Sequence, residues 1–292
     1  MNPNNTAPTP PDMLPPDSQQ ALEVATSSSQ VDSSATDSLD YVSNPFKVLI
    51  DNLSRLFNHN LSTLLGFIGV FIALSLLVPA VIFLATQFTD GSLLPVLFVS
   101  GPIFVVAWFI FLAGFTKYTI ETVRHNQVSF RQCISVGVNK AAGYFLINVI
   151  YLMLIGLGLL FFIVPGVLFA IWFVFAYYAY VDQDISPIEA LKQSKRLTSG
   201  KGVEIAGMFS TLGLLSILGA IPLLGLLLEL ILTPLAGLSW AYRYSSAKML
   251  DDNNLQKPPT HVANKIMLTL TILIVVMIAG LMLLFIGTLA TM

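Results

Sequence analysis

Tyr144–Val181 reads YFLINVIYLMLIGLGLLFFIVPGVLFAIWFVFAYYAYV, 38 residues without one charged side chain. As one straight helix it would be roughly 57 Å long at about 1.5 Å per residue, against a bilayer apolar core of about 30 Å. Lys140 flanks the run on one side, and Lys192, Lys195 and Arg196 follow it on the other. Basic segments stay on the cytoplasmic side of a membrane, so a run with basic residues at both ends goes out and comes back. Pro165-Gly166, just past the middle, is the expected reversal. Proline lacks a backbone donor and clashes with the preceding turn, and glycine tolerates unusual φ values. The rival reading, one long kinked helix, carries a basic flank to the wrong side.

The rest of the chain has the same character. It has 292 residues, 55% hydrophobic and only 10% charged, with a mean hydropathy of +0.79. A soluble domain is about a quarter charged, so the composition points to a helical membrane protein. Seven stretches are long and apolar enough to be read as spans: roughly 61–85, 93–115, 144–163, 166–181, 204–219, 223–241 and 266–289. All 14 Lys and Arg fall into four places. Lys47 and Arg55 precede the first span. Lys117, Arg124, Arg131 and Lys140 lie between the second and third. Lys192, Lys195, Arg196 and Lys201 lie between the fourth and fifth, and Arg243, Lys248, Lys257 and Lys265 between the sixth and seventh. The positive-inside rule then gives a cytoplasmic N-terminus, seven crossings and an outward C-terminus.

Four regions follow. Residues 1–44 are rich in Pro, Ser and Thr, hold six acidic residues and no Lys or Arg, and read as a disordered acidic cytoplasmic tail, because such a composition buries too little apolar surface to offset its ordering entropy. Residues 45–250 form a six-span membrane domain, 251–265 a cytoplasmic linker, and 266–292 an additional transmembrane helix. No cleavable signal peptide is expected, since no apolar stretch follows a basic start. The lone Cys133 excludes an internal disulfide framework and reads as a small apolar residue near a membrane face.

An internal repeat organises the membrane domain. One unit opens at NPFKVLIDNLSRLF, a second at VSFRQCISVGVNKAA and a third at SPIEALKQSKRLTSG, reaching prolines Pro79, Pro165 and Pro222. From Phe46, Phe130 and Ile188 the distances are 33, 35 and 34 residues. GPIFVVAWFIFLAG from Gly101 also mirrors PGVLFAIWFVFAYY from Pro165, with about Ala80–Ser100 as an insertion in the first copy. Each opening is amphipathic. In the first, Phe46, Leu49, Ile50, Leu53, Leu56 and Phe57 share an apolar face. The third carries a capping box with Ser186 as N-cap, Pro187 at N1 and Glu189 at N3, and Gly200 as the stop. The expected fold is an all-α polytopic bundle of three amphipathic-helix-plus-hairpin repeats and a seventh, C-terminal span. Its hairpin turns are placed at Pro79, Pro165, Gly166 and Pro222.

The stretch LLFFIVPGVLFAIWFVFAYYAYVDQDISPIEALKQSKRLTSGKG, Leu159–Gly202, resembles the membrane domain attached to some bacterial glycerophosphoryl diester phosphodiesterases and its stand-alone relatives. The pattern is an apolar arm, Pro165-Gly166, a second apolar arm, an acidic turn at Asp182, then Ala190, Leu191 and Ser194, and a basic stretch at Arg196. The resemblance covers about 45–250 and implies a six-helix membrane module in the bacterial cytoplasmic membrane. The seventh span departs from it. The soluble phosphodiesterase barrel has no counterpart here, so its catalytic residues do not carry over.

Signs of chemistry are sparse. His59, His125 and His261 are widely spaced in the flanks, without paired metal-ligand spacing. Gly200–Gly202 lacks the rest of a phosphate loop. Asp182 and Asp184 read as a solvated capping turn, and Asp251 and Asp252 as a loop. Glu229 lies inside the sixth span, where a charge is costly, so it is expected neutral, paired or facing water, with Asn148 as a candidate partner. Glycines at Gly66 and Gly69, Gly156 and Gly158, and Gly213 and Gly219 read as helix-packing positions. Lys192, Lys195 and Arg196 are expected against anionic lipid head groups. The expected protein is non-catalytic and without cofactor, organising lipids or holding a protein partner through its tail, with no nucleic acid involved. A transporter using Glu229 is the main alternative, and a lipid-modifying enzyme the third.

Overall fold

The computed structural model describes residues 41–58, 60–88, 94–161, 163–219 and 224–290. Every regular element among them is a helix: α1 (Pro45–Asn58), α2 (Leu61–Phe88), α3 (Leu94–Val123), α4 (Phe130–Phe161), α5 (Ile163–Phe173), α6 (Ala176–Gln183), α7 (Pro187–Thr198), α8 (Gly202–Leu218), α9 (Leu224–Asp252) and α10 (Val262–Ala290). Among the described residues, four segments are long and apolar enough to cross a bilayer: Leu61–Leu84, Phe98–Val123, Phe130–Phe161 and Val164–Gln183. Their outward side chains are apolar too, Phe98, Leu160 and Phe161 among the most exposed. Apolar surface on this scale marks a membrane protein.

The run that opens the sequence goes out and comes back. Lys140 is ion-paired with Asp184, Asn148 Nδ2 donates to Tyr177 Oη at 3.1 Å, and Gly158 faces Gly166. Each pair is centred within a residue of position 162. Pro165 stands in the first turn of α5, where its missing N–H has no intrahelical partner to lose. Gly158 and Gly166 meet where the two arms touch. Asp184 closes α6 with φ 54.

The first hairpin differs from expectation. Pro79 lies inside α2, exposed. The cross-pairs Asn60 with Thr122, Phe67 with Phe111 and Phe71 with Trp108 are centred close to residue 90. Within an uninterrupted apolar run the bilayer offers the backbone no water, so the helix continues through proline instead of turning there. The stretch read as an insertion lengthens the two arms. In the third hairpin, Glu204 with Arg243 and Phe209 with Trp240 are centred near residue 224. Pro222 itself lies outside the described residues, as do the tail to Asp40 and His59.

A second difference concerns the opening of the second unit. It is no separate surface helix but the first third of α4, which runs 32 residues without a break. Nothing between Phe130 and Gly143 interrupts the helix. Its small residues instead bring backbones together: Gly114 lies so close to Cys133 that an added Cβ would stand 2.9 Å from the Cys133 carbonyl oxygen. Cys133 is buried in that contact. Of the glycine pairs, Gly66, Gly158 and Gly219 meet a neighbour closely, whereas Gly69, Gly156 and Gly213 face open space.

The other two opening segments form separate helices. In α1, Val48, Leu49 and Leu56 are buried, with α9 the principal neighbour. The expected apolar face divides: Phe46, Ile50, Leu53 and Phe57 remain exposed as a stripe at helical spacing. α7 starts on the full capping box of Ser186 and Glu189, with Pro187 at N1, and ends before Gly200 at φ 71, which a side chain would strain.

Candidate functional site: the charged end of the bundle

The four basic segments meet at one end. Asn60, just before α2, donates to the Asn126 carbonyl at 2.9 Å and accepts from the Val128 N–H at 3.2 Å. Lys257 donates to the Gly200 carbonyl at 2.9 Å, and Arg196 stands 2.8 Å from Asp251. Arg243 donates to the Val42 and Ser43 carbonyls at 2.8 and 2.9 Å. Residues 41–44, expected as the end of a disordered tail, therefore belong to the folded body.

The centre of this end is Asp182. Its carboxylate is 4% exposed and receives Arg124 through both guanidinium nitrogens, at 2.5 and 2.9 Å. Lys248 Nζ adds a contact at 2.9 Å and the Tyr244 hydroxyl donates at 2.8 Å. Tyr244 Oη accepts in turn from Gln183 at 3.0 Å. A two-nitrogen arginine contact is stronger and more directional than a single ammonium. One carboxylate thus ties α3, α6 and α9, one helix from each hairpin. This corrects the expectation of a solvated turn: Asp182 is in the last turn of α6, which packs on α3 and α7. Asp184, two residues on, is the exposed member, and the Lys140 ammonium holds its carboxyl below the usual aspartate value by hydrogen bonding and charge.

A second buried group lies beside it. Glu204 and Arg243 are 1% and 3% exposed and 3.8 Å apart. Lys257 approaches Glu204 Oε1 at 3.2 Å, and Thr260 Oγ1 donates to the same oxygen at 3.2 Å. Burial lowers the Arg243 pKa, with Glu204 opposing it. Asn264 donates to the Ser43 carbonyl at 2.5 Å, and Ser43 Oγ accepts from the His261 N–H at 3.0 Å.

The break between α5 and α6 explains Ser194. The break leaves the Phe175 N–H and the Trp172 carbonyl without helical partners. Ser194 Oγ accepts from Phe175 N at 3.0 Å and donates to Trp172 O at 2.8 Å. Thr198 adds a donor to the same carbonyl at 3.3 Å. Ala190 and Leu191 are buried on the same side of α7.

The expected head-group residues divide. Lys192 is exposed, Lys195 lies 4.9 Å over the Trp172 ring, and Arg196 is paired with Asp251. Asp251 is therefore no simple loop residue, while Asp252 is exposed. Glu229 and Asn148 do not form the expected pair. Asn148 is bonded to Tyr177, and Glu229 accepts from Thr233 Oγ1, one turn along α9, at 3.2 Å. Glu229 lines a crevice of about 20 Å³ with Phe67, Phe71, Phe111 and Phe115, room for about one water. It is five residues from the start of α9, and Phe71 and Phe111 beside it stand near the middles of their own spans. His261 caps α10 through Nδ1, which accepts the Ala263 N–H at 3.1 Å. Among the described residues no three of His, Cys, Asp and Glu come together.

Arg124, Lys248 and Arg243 entered the sequence reading only as markers of topology, and Tyr244 and Glu204 did not enter it. Glu204, near the start of an apolar run, is the one that position marks. No family model, curated protein or solved structure matches the chain.

Proposed function

We propose that the chain is a seven-span protein of the bacterial cytoplasmic membrane, with its N-terminus in the cytoplasm, acting as a non-catalytic module that binds anionic lipid and a protein partner. The observation that carries this reading is the gathering of all four basic segments at one end. Crossing a bilayer with a buried ionic hub costs more than holding that hub at the cytoplasmic surface, where anionic lipid attracts it by about 1 kcal/mol per Lys or Arg. The exposed stripe Phe46, Ile50, Leu53 and Phe57 of α1 suits a helix lying along the interface, and Lys192 on α7 suits a head group. The likeness to the phosphodiesterase-associated membrane domain supports the same reading. Pro165, Gly166, Asp182, Ser194 and Arg196, the residues that carry it, stand at the hairpin and around the charged end.

The transporter reading is weaker on the size of the site at Glu229. Its crevice admits about one water. Affinity capture of the full-length protein from membranes, with lipid mass spectrometry, tests the proposal. Co-purifying anionic lipid and a stoichiometric partner are expected. Saturable solute uptake in liposomes, abolished by Glu229→Gln, would overturn the proposal.

A further inference from the structure

Between the end of α7, the start of α8 and the segment after α9 lies a polar cavity of about 310 Å³, at the small end for ligand sites. Its walls carry three cations, Arg196, Lys201 and Lys257, and one carboxylate, Asp251, together with Ser199 and Asn254. Two of the cations are engaged elsewhere. Arg196 pairs with Asp251 at 2.8 Å. Lys257 pairs with Glu204 at 3.2 Å and donates to the Gly200 carbonyl.

Lys201 differs. It is half-buried, it donates to the Leu197 carbonyl at 3.0 Å, and no ion pair among the described residues includes it. Burial lowers its pKa, Asp251 opposes that, and the neighbouring Lys257 adds to it. An ammonium has three donors, so Lys201 retains donor capacity toward the cavity. The left-handed turn at Gly200 places Ser199 and Lys201 on the same wall. Helix α8 begins at the next residue, so its positive end adds to the local field.

We propose that the cavity between α7, α8 and the segment after α9 binds a phosphate group, with Lys201 and Arg196 as its principal cationic contacts. With Arg196 paired to Asp251 and Lys257 to Glu204, Lys201 leaves one positive charge that no ion pair among the described residues balances and that a phosphate anion neutralises. The guanidinium fork of Arg196 and the point charge of Lys201 both suit phosphate oxygens. Leu250 and Leu255 give the cavity an apolar edge. The group belongs to a lipid head or to a free phosphate compound. The proposal deepens the lipid-binding reading above, sharing Arg196 with it and adding Lys201, and only its lipid arm rests on that reading.

Inorganic phosphate is titrated into the full-length protein in detergent at pH 7 and constant ionic strength, with chloride as the control, while thermal unfolding is followed. The protein is also reconstituted in phosphatidylcholine nanodiscs with and without phosphatidic acid. A saturable rise in Tm is expected. A response to inorganic phosphate identifies a free phosphate compound as sufficient. A response only to phosphatidic acid identifies the lipid head group. Lys201→Gln weakens the response by roughly tenfold or more, whereas Lys201→Arg retains it, as does Arg131→Gln, at an exposed cation of α4 that does not line the cavity. Arg196→Gln, which also frees Asp251 to repel the anion, gives the same loss and decides the matter should Lys201→Gln fail to fold. No saturable response in either arm overturns the proposal, as does an undiminished response in both Lys201→Gln and Arg196→Gln.

Discussion

A Cβ built on Gly158 would stand 2.6 Å from the backbone nitrogen of Gly166. The two arms of the central hairpin touch backbone to backbone at this point, eight residues apart in the chain. Small residues at such crossings let dispersion contacts form without a hydrophobic drive from water. Gly158→Val therefore forces the arms apart and costs about 2 kcal/mol, the scale of overpacking. Gly156, two positions earlier and on the opposite side of the helix, meets nothing within 4 Å, so Gly156→Ala is neutral or mildly stabilising. Thermal unfolding of both variants in the same detergent separates crossing from propensity.

Asp182 is the acceptor on which three hairpins converge, so its removal leaves Arg124 and Lys248 with no carboxylate between them. Breaking a buried pair from one side costs about 3–5 kcal/mol. Arg124 and Lys248 are 31% and 26% exposed, which places Asp182→Asn toward the lower end of that range. The measurement is chemical denaturation in mixed micelles. A loss no larger than that of Asp184→Asn would contradict the hub assignment.

Much of this hairpin was legible in the sequence, and much of the charged end was not. An uncharged run with basic flanks demands a reversal, and S-P-I-E demands a helix start, because both signals are local. Asp182 read as a loop residue because its partners lie 58 to 66 positions away, and only packing brings them together. Pro79 misled for the complementary reason. Proline is a breaker where water competes for the backbone, and the first apolar run gives it no such competitor. The second opening misled because amphipathic spacing alone does not distinguish a surface helix from the first turns of a long one.

The Lys140–Asp184 pair predicts an acid response at the mouth of the hairpin. Its carboxyl lies below the ordinary value of 3.8 in the folded chain. A depressed carboxyl contributes stability that is fully present above the unfolded pKa and is lost as pH falls through the folded one. The contribution is therefore unchanged from pH 7 to about pH 5 and fades below about pH 4. Protease sensitivity of the 182–187 segment, followed from pH 6 to pH 3, checks this. Asp184→Asn abolishes that part of the pH dependence.

Ser194 carries the backbone groups released by the break at Val174–Phe175. Ser194→Ala leaves the buried Phe175 N–H without an acceptor, at a cost of about 1–3 kcal/mol. Ser194→Thr retains the hydroxyl and loses less. Hydrogen exchange at Phe175 is the direct readout: it accelerates in the alanine variant and stays slow in the threonine variant.

The two ends of each hairpin lie on opposite sides of the membrane in the proposed topology. In a Cys133→Ala background, Val164→Cys places an exposed thiol beside the tip of the central hairpin, and Lys192→Cys places one on α7 at the charged end. A membrane-impermeant maleimide applied to intact cells is predicted to modify position 164 at once, and position 192 only after the membrane is permeabilised. Modification of both positions from the same compartment would contradict the account.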